Sequence, residues 1–238
     1  METKVIHKSS TRGNANHGWL NAYHSFSFGS WYNPERVHFG TLRVLNDDTV
    51  AAGMGFGTHP HDNMEIITIP LEGDLAHKDS MGNAATIKTG DVQVMSAGTG
   101  IQHSEFNPNH DQHTKLFQIW LFPKFRNVVP RYQQITLDQS LQKNDFAQIL
   151  SPNPDDEGVW IHQDAWFYLS DFDAGFSKKL ALKKEGNGFY IMNIEGEIEI
   201  SDSTLEKRDA IGIWSTHEIE IKANTNAKFL VMEIPMEH

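Results

Sequence analysis

The sequence predicts an all-β protein built from domains of the sandwich or barrel type. Short runs rich in β-branched, aromatic and aliphatic residues recur at intervals of roughly ten residues. Glycine-containing turn signals, such as those at 72–74 and 89–91, separate these runs. No segment keeps a 3.6-residue periodicity over several turns. The best helical candidate is 138–150, in which we expect Leu141, Phe146 and Ile149 to contact the core.

The strands fall into two groups. A polar, proline-rich stretch at 151–158 is typical of a loop or a domain joint. The segment 194–198 echoes 69–73, and 207–214 echoes 89–94, which indicates a weak internal duplication of one β domain. We therefore expect an N-terminal domain at 1–135 and a C-terminal domain at 136–238. The clearest predicted strands are 37–44, 65–71, 91–95 and 115–122 in the first group, and 159–162, 189–194, 197–201 and 229–234 in the second.

Composition excludes several classes of function. The 238-residue chain has a formal net charge of −11, and an acidic surface disfavours direct binding to nucleic acid or to anionic lipid. The absence of cysteine excludes disulfides, Fe–S clusters, thiolate metal sites and cysteine nucleophiles. The first residues lack the apolar region of a secretion signal, and no apolar run is long enough to cross a bilayer. We therefore expect a cytoplasmic protein without nucleic-acid or membrane partners.

Two short motifs carry candidate metal ligands: His59-Pro60-His61 and His103-Ser104-Glu105. Residues two apart in a strand project from the same face. If the two strands are neighbours, three imidazoles and one carboxylate converge, a donor set that suits Fe(II), Mn(II), Ni(II), Cu(II) or Zn(II). Pro60 lacks an N–H and should lie at a strand end or on an edge strand.

The identity of the carboxylate is open at this point. Strand alternation extended from His59 and His61 also brings Glu65 to the same face, so Glu65 is an alternative to Glu105 as ligand. If Glu105 is the ligand, Glu65 orients an imidazole from outside the ligand set or is a buried structural carboxylate.

The remaining histidines and aromatic residues are given simpler interpretations. His77, His110 and His113 fall in or near turns, and we expect them on the surface. The N-terminal aromatic residues are expected in the core rather than as walls of a pocket, because aromatic side chains dominate β-domain interiors. They are Trp19, Phe26, Phe28, Trp31 and Phe39.

The ligand motifs belong to a longer ordered set that resembles the pirins, which are two-domain cupins. Gly53, His59, His61 and Glu65 fit the first cupin motif, and Gly90, His103 and Asn107 fit the second. The stretch Ser96-Ala97-Gly98-Thr99-Gly100-Ile101-Gln102-His103-Ser104-Glu105 departs from the general cupin pattern and is similar to the pirin signature. Further pirin-like motifs lie at 15–20, 24–28, 42–48, 55–61, 77–82, 118–120 and 130–132.

This resemblance implies a bicupin with one metal ion, most simply Fe2+, in the N-terminal barrel, and a degenerate C-terminal barrel without ligands. The pirin ligands fall on His59, His61, His103 and Glu105. Some bacterial members are quercetin 2,3-dioxygenases, which cleave flavonols with O₂ and release CO. A flavonol-like substrate and O₂ are therefore the expected partners, with Glu105, or alternatively Glu65, as the general base. The other interpretation is a metal-dependent protein-interaction module, because some pirins are co-regulators that bind proteins.

Overall fold

The computed structural model describes residues 2–237 and confirms the all-β prediction. Each of the two domains has one seven-stranded and one four-stranded sheet, arranged like a jelly roll rather than as a closed barrel. The first twelve strands are β1 (Thr3–His7), β2 (Gly13–Asn16), β3 (Leu20–His24), β4 (Leu42–Val50), β5 (Gly55–His61), β6 (Glu65–Glu72), β7 (Leu75–Asp79), β8 (Ala84–Ile87), β9 (Asp91–Ser96), β10 (Ile101–Phe106), β11 (Thr114–Leu121) and β12 (Arg131–Thr136).

The second half repeats this arrangement. Its strands are β13 (Ala147–Ser151), β14 (Val159–Trp160), β15 (Trp166–Phe172), β16 (Ser177–Ala181), β17 (Asn187–Glu195), β18 (Ile198–Ile200), β19 (Ser203–Leu205), β20 (Ala210–Trp214), β21 (Glu218–Ala223) and β22 (Ala227–Pro235). The N-terminal sheets have the orders β12-β9-β6-β11-β4-β3-β2 and β5-β10-β7-β8. The C-terminal sheets have the orders β1-β20-β17-β22-β15-β13-β14 and β16-β21-β18-β19.

The largest apolar core lies between the two seven-stranded sheets. Phe117 and Ile119 of β11 contribute to it from one sheet, and Tyr190 and Met192 of β17 from the other. Because side chains alternate along a strand, the neighbouring residues of the same strands point into the interior of their own domain. Both central strands are therefore buried on both faces.

The two domain interiors differ in chemistry. The C-terminal interior is packed largely with apolar side chains, including Phe172, Phe189 and Phe229. The apolar cluster in the N-terminal interior is smaller and includes Val50 and Leu116. The remaining space in that domain is lined partly by polar side chains. The N-terminal interior is therefore the better place for a ligand site.

The first strand of the chain lies in the sheet of the C-terminal domain. Strand β1 pairs antiparallel with β20, with Val5 opposite Gly212, and so forms the edge of the C-terminal sheet. Residues 3–7 thus belong structurally with the second half of the chain.

The helical expectation for 138–150 was wrong. Only a short 3-10 turn, Gln139–Gln142, forms there, and β13 follows it. Ile149 is buried as expected, whereas Leu141 is 53% exposed. Within residues 2–237, no helix has the length and apolar character needed to span a membrane.

Candidate metal centre

The two ligand motifs lie on neighbouring strands. Strands β5 and β10 pair antiparallel, with His103 opposite His59 and Ile101 opposite His61. The backbones approach closely at Gly55, where a Cβ atom would lie 2.1 Å from the Glu105 carbonyl oxygen. Strand β5 is the edge of its sheet and the Pro60 side chain is exposed, which confirms the expectation for that proline.

Three imidazoles converge at this point. His59, His61 and His103 each offer a ring nitrogen within 4.8 Å of the others. The Nε2 atoms of His61 and His103 are 3.0 Å apart. His59 Nδ1 lies 2.8 Å from the Gly57 carbonyl oxygen, so Nδ1 carries the proton and Nε2 is left as the electron-pair donor.

The geometry of these imidazoles fits a divalent transition metal. Metal–nitrogen bonds of about 2.0–2.1 Å at right angles would place two ligand nitrogens about 3 Å apart, which matches the distance between His61 and His103. Burial, then the neighbouring His59, lower the pKa of His61 to about 4. Burial and the neighbouring histidines also lower the pKa of His103. Both rings are therefore neutral at pH 7, as ligation requires.

Glu105 is buried and faces the same region. One of its oxygens forms a group with ring nitrogens of His77 and His103, again within 4.8 Å. Gln118 Nε2 donates to both carboxylate oxygens, at 3.1 and 3.2 Å. Burial raises the pKa of Glu105 to about 7, and the hydrogen bonds from Gln118 oppose this rise. Sequence reasoning missed the contribution of Gln118, because its partner lies on a different sheet.

His77 is not on the surface as expected. It lies on β7 directly opposite Glu105, is buried, and its ring centroid is 5.2 Å from that of His103. Its Nε2 atom is 3.2 Å from Asp79 Oδ2. Leu75, His77 and Asp79 share one face of the strand, and all three are buried. Their spacing of two residues, beginning at an apolar leucine, was the sequence signal that His77 points inward.

Glu65 lies apart from the three imidazoles. The chain turns at Asn63, which has a φ of 45°, and Glu65 begins β6 in the other sheet of the domain. The assumption that a single strand carries His61 and Glu65 is therefore wrong. The buried Glu65 carboxylate accepts a hydrogen bond from Ser96 Oγ at 2.7 Å. Burial raises the pKa of Glu65 to about 7, against the hydrogen bond from Ser96.

The three imidazoles and Glu105 line a cavity of about 480 Å³. Phe28, Trp31, Phe56 and Trp120 form apolar walls. The expectation that the N-terminal aromatic residues belong to the core was therefore wrong for Phe28 and Trp31. It is confirmed for Phe26 and Phe39, which pack between the two large sheets.

A row of polar side chains crosses the sheet that forms the floor of this cavity. The register places His24, Asn46, Gln118, Thr68 and Gln93 directly opposite one another on successive strands, and all five are buried. His24 Nδ1 is 2.8 Å from Asn46 Oδ1, and Thr68 Oγ1 donates to Gln118 Oε1 at 3.2 Å. This row connects the cavity floor to Glu105 through Gln118.

Known proteins are similar to this chain in both sequence and fold. The family model described as Pirin matches residues 5–121, and the model described as Quercetinase C-terminal cupin domain matches residues 148–234. A quercetin 2,3-dioxygenase of Escherichia coli K12 is 39% identical over 234 residues, which cover 97% of this chain and 98% of the relative. This chain belongs to the pirin family. The two cupin domains expected from the resemblance are thereby confirmed.

Solved structures of bacterial pirins are similar to this structure over nearly its full length. The crystal structure of YhhW from Escherichia coli has a TM-score of 0.94 at 38% identity, covering 99% of this chain and all of that chain. A second structure shows the bacterial pirin YhhW in complex with nickel(II), with a TM-score of 0.92 at 36% identity, covering 98% of this chain and 99% of that one. The pirin fold thus extends over both domains of the chain.

Proposed function

We propose that this pirin is a metal-dependent dioxygenase that cleaves flavonols such as quercetin with O₂ and releases CO. The observation that carries the proposal is the aromatic-walled cavity that opens onto three converging imidazoles and a buried carboxylate. Its volume of about 480 Å³ lies in the range of small-molecule sites. The Escherichia coli relative named quercetin 2,3-dioxygenase supports the choice of reaction.

The proposed ligands are His59, His61, His103 and Glu105, and the proposed ion is Fe2+. Three neutral imidazoles and one carboxylate leave a divalent ion with a net charge of +1, which favours an anionic substrate such as a flavonolate. These four residues would hold the ion and leave it accessible to small molecules from the cavity, unlike a closed structural zinc site. The structure of the bacterial pirin YhhW in complex with nickel(II) supports the choice of a divalent transition metal.

The protein groups have distinct roles in this proposal. The aromatic walls, including Phe28 and Trp120, hold the flat ring system and exclude water from it. A bound divalent metal supplies Lewis acidity, which lowers the pKa of a coordinated hydroxyl group. Glu105 takes up the proton of the substrate 3-hydroxyl as the general base. Gln118 fixes the orientation of the Glu105 carboxylate through hydrogen bonds to both of its oxygens.

Oxygen uptake tests the proposal directly. Metal-free protein is loaded with one equivalent of Fe2+, or of Mn, Ni, Cu or Zn as comparison ions, and mixed with quercetin in air. We expect consumption of one O₂ and release of one CO per quercetin cleaved, and no reaction with metal-free protein. A loaded protein that binds quercetin but consumes no oxygen would refute the enzymatic proposal. The protein-interaction module would then be the better description.

A further inference from the structure

Asp48 carries a buried carboxyl oxygen that no group within residues 2–237 satisfies. It lies on β4, is only 4% exposed and lines the cavity. Its Oδ1 atom is buried and has no hydrogen-bond partner in the part of the chain that the structure describes. Leaving such a group unsatisfied costs free energy, so a buried carboxyl oxygen that faces a cavity points to a partner from outside the protein chain.

The surroundings of Asp48 show which direction the missing partner comes from. Its neighbours across the sheet are Ala22 on β3 and Leu116 on β11, which have no polar side-chain atoms. Asn46, two residues earlier on the same face, is already engaged with His24. The two residues directly opposite Asp48 therefore offer it no side-chain hydrogen bond, and Asp48 lines the cavity.

The chemistry of the site restricts the partner to a neutral donor. A cationic group would be repelled by a divalent ion held at the imidazoles, whereas a hydroxyl group would not. The apolar walls formed by Phe28, Trp31 and Phe56 fit an aromatic ring that carries this hydroxyl. A carboxyl group keeps an oxygen that accepts a hydrogen bond whether or not it is ionised.

We propose that Asp48 is a specificity-determining residue that accepts a hydrogen bond from a ring hydroxyl of the aromatic ligand in the cavity. This inference rests on the proposed function and names a feature of the substrate class, namely hydroxyl groups beyond the one nearest the imidazoles. It assigns Asp48 a role in choosing among ligands rather than in the chemical step.

Matched ligands and matched variants test this role. Quercetin carries several ring hydroxyls, and 3-hydroxyflavone carries only the 3-hydroxyl. Binding of each is measured by quenching of tryptophan fluorescence in iron(II)-loaded protein under argon, so that no turnover is required. The variants are Asp48→Leu, which has nearly the same shape without acceptor oxygens, and Asp48→Asn, which keeps one acceptor. Asp111→Leu, a change of the same kind at an exposed turn, is the control.

We expect Asp48→Leu to weaken quercetin binding about tenfold, which corresponds to about 1.4 kcal/mol, and to change 3-hydroxyflavone binding by less than twofold. Asp48→Asn should retain part of the preference, and the Asp111 variant all of it. The melting temperature of Asp48→Leu should not fall, because an unsatisfied buried group is removed.

Equal losses for both ligands, no loss for either, or no binding of either ligand to the wild type would overturn the inference. A lower melting temperature together with equal losses would show that Asp48 is structural. Oxygen uptake is measured separately in air, so the two proposals can fail independently. A selective loss without any turnover would refute the dioxygenase and keep Asp48 as a ligand-selecting residue. Turnover without a selective loss would refute the role of Asp48 and keep the dioxygenase.

Discussion

Replacement of Gln118 by leucine tests how the carboxylate of the metal site is held. Gln118 Nε2 lies 3.1 and 3.2 Å from the two oxygens of Glu105, and both side chains are buried. A hydrogen bond to a charged group stabilises it by about 1.5–3 kcal/mol. At 1.36 kcal/mol per pKa unit, its loss should raise the pKa of Glu105 by about 1–2 units, above the wild-type value of about 7.

Metal affinity should report this change with a defined pH dependence. Metal binding must displace the proton from Glu105, so the leucine variant should bind about 10–100-fold more weakly at pH 6. The difference should shrink as the pH rises through the pKa of the variant, and disappear once Glu105 is ionised in both proteins. Protonation of the histidines weakens metal binding equally in both proteins, so it cancels from the ratio of their affinities.

Competition with a chromophoric chelator between pH 6 and pH 9 measures this ratio. Gln93→Leu is a matched control, because Gln93 is a buried glutamine in the same polar row. Its Nε2 atom has no partner within residues 2–237. We expect the control to bind metal like the wild type. An equal loss in both variants, or a loss for Gln118→Leu that does not vary with pH, would refute the reasoning.

Three further predictions concern the ligands and Glu65. His61→Ala should abolish binding of the single metal equivalent per chain, measured by elemental analysis, while circular dichroism stays unchanged, because the apolar cores are built without this side chain. Glu105→Gln should lose the metal in chelator titrations, whereas Glu65→Gln should keep it with at most about a 10–100-fold loss; the reverse pattern would contradict the proposed ligand set. Burial raises the pKa of Glu65 from 4.5 to about 7 in the folded state, so its ionisation disfavours folding as the pH rises above 4.5. Glu65→Gln should therefore raise the free energy of unfolding at pH 8, by at most about 3 kcal/mol, and leave it nearly unchanged at pH 4. Urea denaturation at the two pH values checks this, and an equal effect at both would contradict it.

The sequence predicted the features of this protein that depend on local periodicity. Residues two apart on a strand share a face, and this rule correctly brought His59 and His61 toward His103. The same rule failed for Glu65, because it was extended through the turn at Asn63. Asn adopts a positive φ more readily than most residues, so Asp62-Asn63 was the local signal that the strand ends there.

Other features depend on pairing between distant segments and could not be derived from local patterns. The apolar residues at 138–150 fit a helix as well as a strand. The later part of this segment forms a strand because β13 pairs with β15. The interaction of Gln118 with Glu105 joins two different sheets, and Asp48 lines the same cavity as imidazoles that lie on another sheet. In each case the deciding contact is tertiary, which local propensity does not encode.

The pairing of β1 with β20 has a consequence for the order in which the chain assembles. Residues 3–7 are synthesised some two hundred residues before their partners at 210–214, so this strand stays unpaired until nearly the whole protein has been made. Closing so long a loop is slow, and the edge of β20 remains open for pairing with other chains until it closes. Cutting the gene at residue 135 would leave that edge permanently exposed in the C-terminal piece. A separately expressed second domain should therefore aggregate unless residues 3–7 are added back as a peptide or moved to its other end by circular permutation.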